Sequence, residues 1–140
     1  MKRILLVEDD YEIAGSLLIA LGMIKTPPLE KEAQYEGVSA LGRIQSPPAP
    51  DLVVLDMHLP NLTGQTIYEE IREKIPSCKV IVITGDDRLA GKIKARLGDW
   101  ERLPPPEAIF TKPFPLNEFL AAVRKSLNLP DESPDSVKGS

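Results

Sequence analysis

Short apolar runs alternate along the chain with segments whose hydrophobic residues recur at helical spacing. Arg3 to Val7, Leu52 to Leu55 and Val80 to Ile83 are dense in Leu, Ile and Val, as strands covered on both faces require. Ala108 to Thr111 is a shorter run of the same kind. After the first run, Ile13, Leu17, Leu18, Leu21 and Ile24 recur every three or four residues and predict a helix, with Asp10 as its cap. Ile67, Ile71 and Ile75 stripe another helix, which Pro76 ends; Leu89, Ile93 and Leu97 stripe a basic one. Leu116, Phe119, Leu120, Val123 and Leu127 line the last. A strand is also needed at Pro28 to Ala33, before a helix near Gly37 to Gln45, and the Glu and Lys residues there suit only a sheet edge. The pattern predicts an α/β domain: a doubly wound, five-stranded parallel sheet of order 2-1-3-4-5, whose second strand is the edge.

Composition narrows the picture. With 140 residues, 42% of them hydrophobic and 27% charged, the chain can bury one core but not two. A net charge of −4 argues against gripping a phosphate backbone, so no nucleic acid is expected to bind this segment. The apolar run Ile4 to Val7 is too short for a secretory core or a membrane span. A single cysteine, Cys78, excludes an internal disulfide or a cysteine zinc cluster and suits a reducing, cytoplasmic setting. The 14 prolines cluster at Pro27-Pro28, Pro47-Pro48-Pro50 and Pro104-Pro105-Pro106, where they punctuate loops. Residues 1–129 are expected to form the domain. The segment 130–140, with only Val137 to bury, is expected to be a flexible tail or the start of a linker.

In an open parallel sheet, ligands bind beyond the carboxyl ends of the strands, where strand order reverses. Glu8 and Asp9 follow the first strand, Asp56 the third, Thr84 the fourth and Lys112 the fifth. Neighbouring strands lie about 4.8 Å apart, so the three carboxylates meet around one small volume, and Lys112 reaches it only through its long side chain. Carboxylates this close repel one another and invite a hard divalent cation, of which Mg2+ is the natural choice. That ion habitually bridges carboxylates to phosphate oxygens. A carboxylate can attack phosphorus to form an acyl phosphate, with the Lys112 ammonium and the Thr84 hydroxyl balancing the transferred charge. The constellation reads as a phosphoaspartate site.

Val7-Glu8-Asp9-Asp10, Leu55-Asp56-Met57-His58-Leu59-Pro60 with Gly64, Ile83-Thr84-Gly85, and Lys112-Pro113-Phe114 resemble the landmarks of the receiver domain of two-component response regulators. The resemblance covers about Lys2 to Leu129, with four landmarks in the right order. It implies a flavodoxin-like (βα)5 fold and a switch in a phosphorelay, with self-phosphorylation and slow autodephosphorylation as its only chemistry. Asp56 would be the phosphoacceptor, taking its phosphoryl group from a sensor histidine kinase or a histidine phosphotransfer protein. Glu8, Asp9, Asp56 and the main-chain carbonyl of His58 would hold Mg2+. Thr84 would move onto the new phosphate, Lys112 would pair with it, and the Lys112-Pro113 bond would be cis. His58 and Asp86 would tune hydrolysis. The family also offers a homodimer through its last strand and helices, and an output partner that the residues do not name.

Two features depart from the family pattern. The switch position three residues before the lysine, usually Tyr or Phe, is Ile109, and alternation points the adjacent Phe110 to the other face. The stretch Gly98 to Glu107, with Trp100, is longer than usual and is expected to stiffen a loop. Taken singly, each site residue has an ordinary reading: Glu8-Asp9-Asp10 as helix-start acidity, Asp56 and Thr84-Gly85 as turns, Cys78 as inert packing, Trp100 as a loop anchor. Their coincidence favours the site. A haloacid-dehalogenase-like phosphatase would carry a second aspartate where His58 stands. A P-loop fails on the spacing from Gly85 to Gly91-Lys92, and a flavin carrier fails because Glu8-Asp9 would repel its phosphate. The remaining alternative is a receiver-fold interaction module that is never phosphorylated.

Overall fold

Alternation along each strand decides which helix it meets. The computed structural model describes residues 1–130, so the tail expected at 130–140 lies, but for Pro130, outside the described residues. Its strands are β1 (Lys2–Val7), β2 (Leu29–Gln34), β3 (Leu52–Asp56), β4 (Lys79–Thr84) and β5 (Ala108–Thr111), all parallel and in the order β2-β1-β3-β4-β5. Between and after them run α1 (Tyr11–Leu21), α2 (Gly37–Ile44), α3 (Gly64–Lys74), α4 (Asp87–Ala95) and α5 (Leu116–Ser126). Ile4, Leu6, Val54, Ile81 and Ile83 face one way and pack with Ala14, Leu17 and Leu21 of α1 and Phe119, Leu120 and Val123 of α5. Leu5, Val7, Val53, Leu55, Val80 and Val82 face the other way and pack with Ala40 of α2, Ile67, Tyr68 and Ile71 of α3, and Ile93 of α4. A one-residue slip in any central strand would exchange its two faces, so register is tightly held.

The charged segment is the edge strand, as expected, displaced one residue to Leu29–Gln34. Its charges are satisfied at the rim: Arg3 pairs with Glu30 at 2.8 Å, and Arg43 of α2 with Glu32 at 2.9 Å. Asp10 caps α1, accepting from the backbone N–H groups of Glu12 and Ile13. Two helices differ from the pattern. α4 stops at Ala95 because Arg96 turns left-handed (φ 57°), so Leu97 leaves the apolar stripe and is 55% exposed. Leu116, at the first turn of α5, is also exposed rather than in the core. Phe110 packs with Phe114 and Phe119 on the α1/α5 face, while Ile109 packs on the α2/α3/α4 face. The Lys112-Pro113 bond is cis. Among the described residues no helix is long and apolar enough to cross a membrane.

The long stretch before β5 folds back onto α3. It contains a 3-10 turn over Gly98–Glu101, and Trp100 is buried with its ring 5.1 Å from that of Tyr68. Trp100 is thus a loop anchor. Cys78 is buried at the start of β4, and burial pushes its thiol up to about 12, which makes it inert packing.

Gly64 brings α3 hard against the end of β3. A Cβ there would lie 2.5 Å from Met57 Cα and 2.9 Å from the Asp56 carbonyl oxygen. Gly64→Ala is therefore expected to lower stability by about 1–3 kcal/mol, read as a lower urea midpoint at unchanged slope.

Candidate functional site

Register carries the polar residues to one end of the sheet. Val7 pairs with Leu55 and Asp56 with Ile83, which sets Glu8 level with Asp56 and Thr84 one step beyond. By alternation Glu8, Asp56 and Lys112 continue the α1/α5 face, whereas Thr84 continues the opposite one. Lys112 is placed by its backbone N–H, which donates to the Thr84 carbonyl at 2.8 Å and prolongs the β4–β5 ladder. Its side chain then crosses above β4. Lys112 Nζ lies 2.6 Å from Glu8 Oε1 and 3.4 Å from Asp56 Oδ2.

Glu8 and Asp56 are buried almost completely, and Asp9 stands at the exposed rim. One carboxylate oxygen from each of the three lies within 4.8 Å of the others. Backbone donors steady two of them: His58 N–H donates to Asp56 Oδ1 at 3.0 Å, and Asp10 N–H to Glu8 Oε2 at 3.2 Å. Glu8 Oε1 takes the Lys112 ammonium at 2.6 Å. An all-oxygen set of this kind, three carboxylates against one ammonium, fits a hard divalent cation such as Mg2+.

The electrostatics follow from burial. Desolvation pushes the Glu8 carboxyl from 4.5 up to about 7; the neighbouring Asp56 adds to the rise, while Lys112 and the Asp10 N–H oppose it. Burial would lower the Lys112 pKa, but Glu8 and Asp56 outweigh it and hold the ammonium above its ordinary value.

Thr84 is buried at the end of β4, its Oγ1 accepting from Asp86 N–H at 3.0 Å. Asp86 in turn caps α4, accepting from Arg88 and Leu89 N–H. The other carboxylate oxygen of Asp86 lies 3.9 Å from His58 Nε2, and both side chains are about half exposed. The two residues thus face each other across adjacent loops, which their sequence positions alone do not reveal. Ile109 stands away from the carboxylates, half-buried on β5. A further feature escapes the sequence pattern: an apolar groove of about 580 Å³ between α1 and the β5–α5 loop, lined by Ile13, Leu17, Lys112, Phe114 and Leu116. The exposure of Leu116 belongs to it.

The structure is thus an α/β domain whose five-stranded parallel sheet carries a buried acid cluster and one ammonium at its switch point. The family model for the response regulator receiver domain matches residues 4–124. The response regulator MprA of Mycobacterium sp. (strain KMS) is 34% identical over 137 residues, covering 96% of this chain and 55% of that protein. The response regulator protein TrrA from Thermotoga maritima, solved in complex with Mg(2+)-BeF, superposes with a TM-score of 0.69 at 27% identity, over 90% of this chain and 99% of that one. A CheY-like receiver domain protein from Methanospirillum hungatei JF-1 shares the fold, with a TM-score of 0.73 at 24% identity over 91% of this chain and 94% of that one. The chain belongs to the response regulator receiver domain family. It spans about half the length of curated relatives such as MprA.

The Glu8 shift carries a sign that stability measurements can check. Without divalent cations the folded chain keeps a proton on Glu8 that the unfolded chain releases above 4.5. This contribution is present in full below that pH and is lost as the pH rises toward about 7. Urea melts of the metal-free protein are expected to show the decline across that window, and Glu8→Gln is expected to abolish it.

Proposed function

We propose that the chain is the phosphoaspartate switch of a two-component phosphorelay, with residues 1–129 as the receiver unit and Asp56 as the phosphoacceptor. The observation that carries this reading is the meeting of Glu8, Asp9 and Asp56 within 4.8 Å, with Lys112 Nζ against two of them. The donor is a phosphohistidine on a sensor histidine kinase or a phosphotransfer protein, in the cytoplasm. An Asp56 carboxylate oxygen attacks phosphorus, the P–N bond of the donor breaks as the new P–O bond forms, and the departing imidazole takes up a proton. Glu8, Asp9, Asp56 and the His58 carbonyl would hold Mg2+, which supplies charge neutralisation for the transferred group. The Lys112 ammonium pairs with a second phosphate oxygen. The domain is a switch, with self-phosphorylation from small donors and slow hydrolysis as its only chemistry.

Added charge of roughly −1.5 to −2 draws the Thr84 hydroxyl from Asp86 N–H toward the phosphate. The β4–α4 connection follows. With Ile109 where relatives usually carry an aromatic ring, the signal runs through this connection rather than through a swinging ring on β5. His58 and Asp86, facing each other at 3.9 Å, narrow the water's approach to the acyl phosphate. A homodimer or an output partner reads the altered surface.

Acetyl phosphate with Mg2+ is expected to add the mass of one phosphoryl group to the intact chain, and Asp56→Asn or chelation is expected to prevent it. A folded chain that gains no mass would instead favour an interaction module that is never phosphorylated. Once loaded, His58→Ala, which widens that approach, is expected to lose the phosphoryl group several-fold faster than the parent chain, followed by intact mass against time.

A further inference from the structure

The two ends of α4 are held by different partners. At the N-terminal end, Asp86 N–H is bonded to Thr84 Oγ1, and the Asp86 carboxylate holds the N–H groups of Arg88 and Leu89. That end is tied to Thr84, the last residue of the strand beside Asp56. At the C-terminal end, the Arg96 guanidinium donates to the carbonyls of Glu101 and Leu103 at 3.1 Å each, while Leu97 N–H returns to Lys92 and Trp100 N–H to Leu97. The same segment is fastened to α3. Trp100 lies buried on Tyr68, the Tyr68 hydroxyl donates to the Pro104 carbonyl, and Gln65 donates to Asp99 at 3.0 Å. α3 in turn is seated on β3 through Gly64.

Gly91 sits midway along α4, and nothing lies within 4 Å of where its Cβ would be. Packing therefore does not require a glycine, and its presence costs the helix about 1 kcal/mol relative to alanine. Gly15 and Gly42 are similarly open, so the case for Gly91 rests on the two anchors between which it falls.

We infer that residues 97–104 form a strap locking the C-terminal end of α4 to α3, so that α4 flexes at Gly91 and the response to a phosphoryl group is confined to its N-terminal half. The inference rests on the phosphoaspartate reading. When Thr84 leaves Asp86, the caps of Arg88 and Leu89 loosen, while Arg96, Leu97 and Trp100 keep their bonds. The new surface is then the exposed Arg88 and Asp87 end of the helix, not its whole length.

Amide hydrogen exchange read by NMR, with and without beryllofluoride and Mg2+, tests this residue by residue. Loading is read independently from the His58 amide, which is bonded to Asp56 Oδ1. The expected result is a several-fold change in exchange at Asp86, Arg88 and Leu89, no change at Arg96, Leu97 and Trp100, and unchanged fluorescence from Trp100, the only tryptophan. Gly91→Ala, which the open space admits without a clash, is expected to shrink the response at Arg88 and Leu89 several-fold. Trp100→Ala, if it folds, is expected to let the change spread to Arg96 and Leu97. A loaded chain in which Leu97 and Trp100 respond as strongly as Leu89, or in which Gly91→Ala leaves the response intact, overturns the inference. Failure of the His58 amide to report loading overturns the phosphoaspartate reading itself, and the strap's role with it.

Discussion

The rest of the structure turns on one partly buried ammonium. Lys112 Nζ is shared between Glu8 and Asp56, two carboxylates that the sheet forces side by side and removes from water. Neither would be tolerable there as an isolated anion, since an unpaired buried charge costs several kcal/mol. One positive charge against three carboxylates leaves the pocket short of cations. Burial accordingly pushes the Glu8 carboxyl up from 4.5 to about 7, with Asp56 adding to the rise and the ammonium opposing it. A divalent cation held by Glu8, Asp9 and Asp56 would relieve the same shortage and would supply positive charge for a transferred anion. The excess of negative charge in the resting pocket and its fit to such an ion thus have one origin.

The sheet delivers this arrangement through parity. Glu8, Asp56 and Lys112 each end a strand in the phase that faces α1 and α5, so their heads converge; Thr84 ends its strand in the other phase and engages α4 instead. Thr84 therefore ends the strand beside Asp56 while its side chain holds the start of α4. Gly64 supports the geometry from below, because only a residue without a side chain lets α3 approach the Asp56 carbonyl so closely.

Much of this is legible in the residues themselves. Continuous apolar runs such as Val80 to Ile83 announce central strands, and the charged segment at 29–34 announces an edge, because those patterns are direct consequences of burial. The acid pair, Asp56 and Lys112 could be gathered on paper, since strand order and alternation alone decide their meeting. What escaped depends on three-dimensional packing. Leu97 continues the apolar stripe of α4 in sequence, yet the left-handed Arg96 ends the helix before it. Leu116 has the spacing of a core residue but lines an open groove. Neither the approach of His58 to Asp86 nor the seating of Trp100 on Tyr68 has a local signature, because each joins residues from separate loops and helices.

The most direct test of the shared-ammonium account is calorimetric titration of Mg2+ into the parent chain and into Lys112→Met, at a pH well above 7 where the carboxylates are ionised. The account predicts that the parent binds one ion and that the variant binds it several-fold more tightly, because the competing positive charge is gone. A parent chain that binds no Mg2+, or a folded variant that binds it more weakly, would contradict the account.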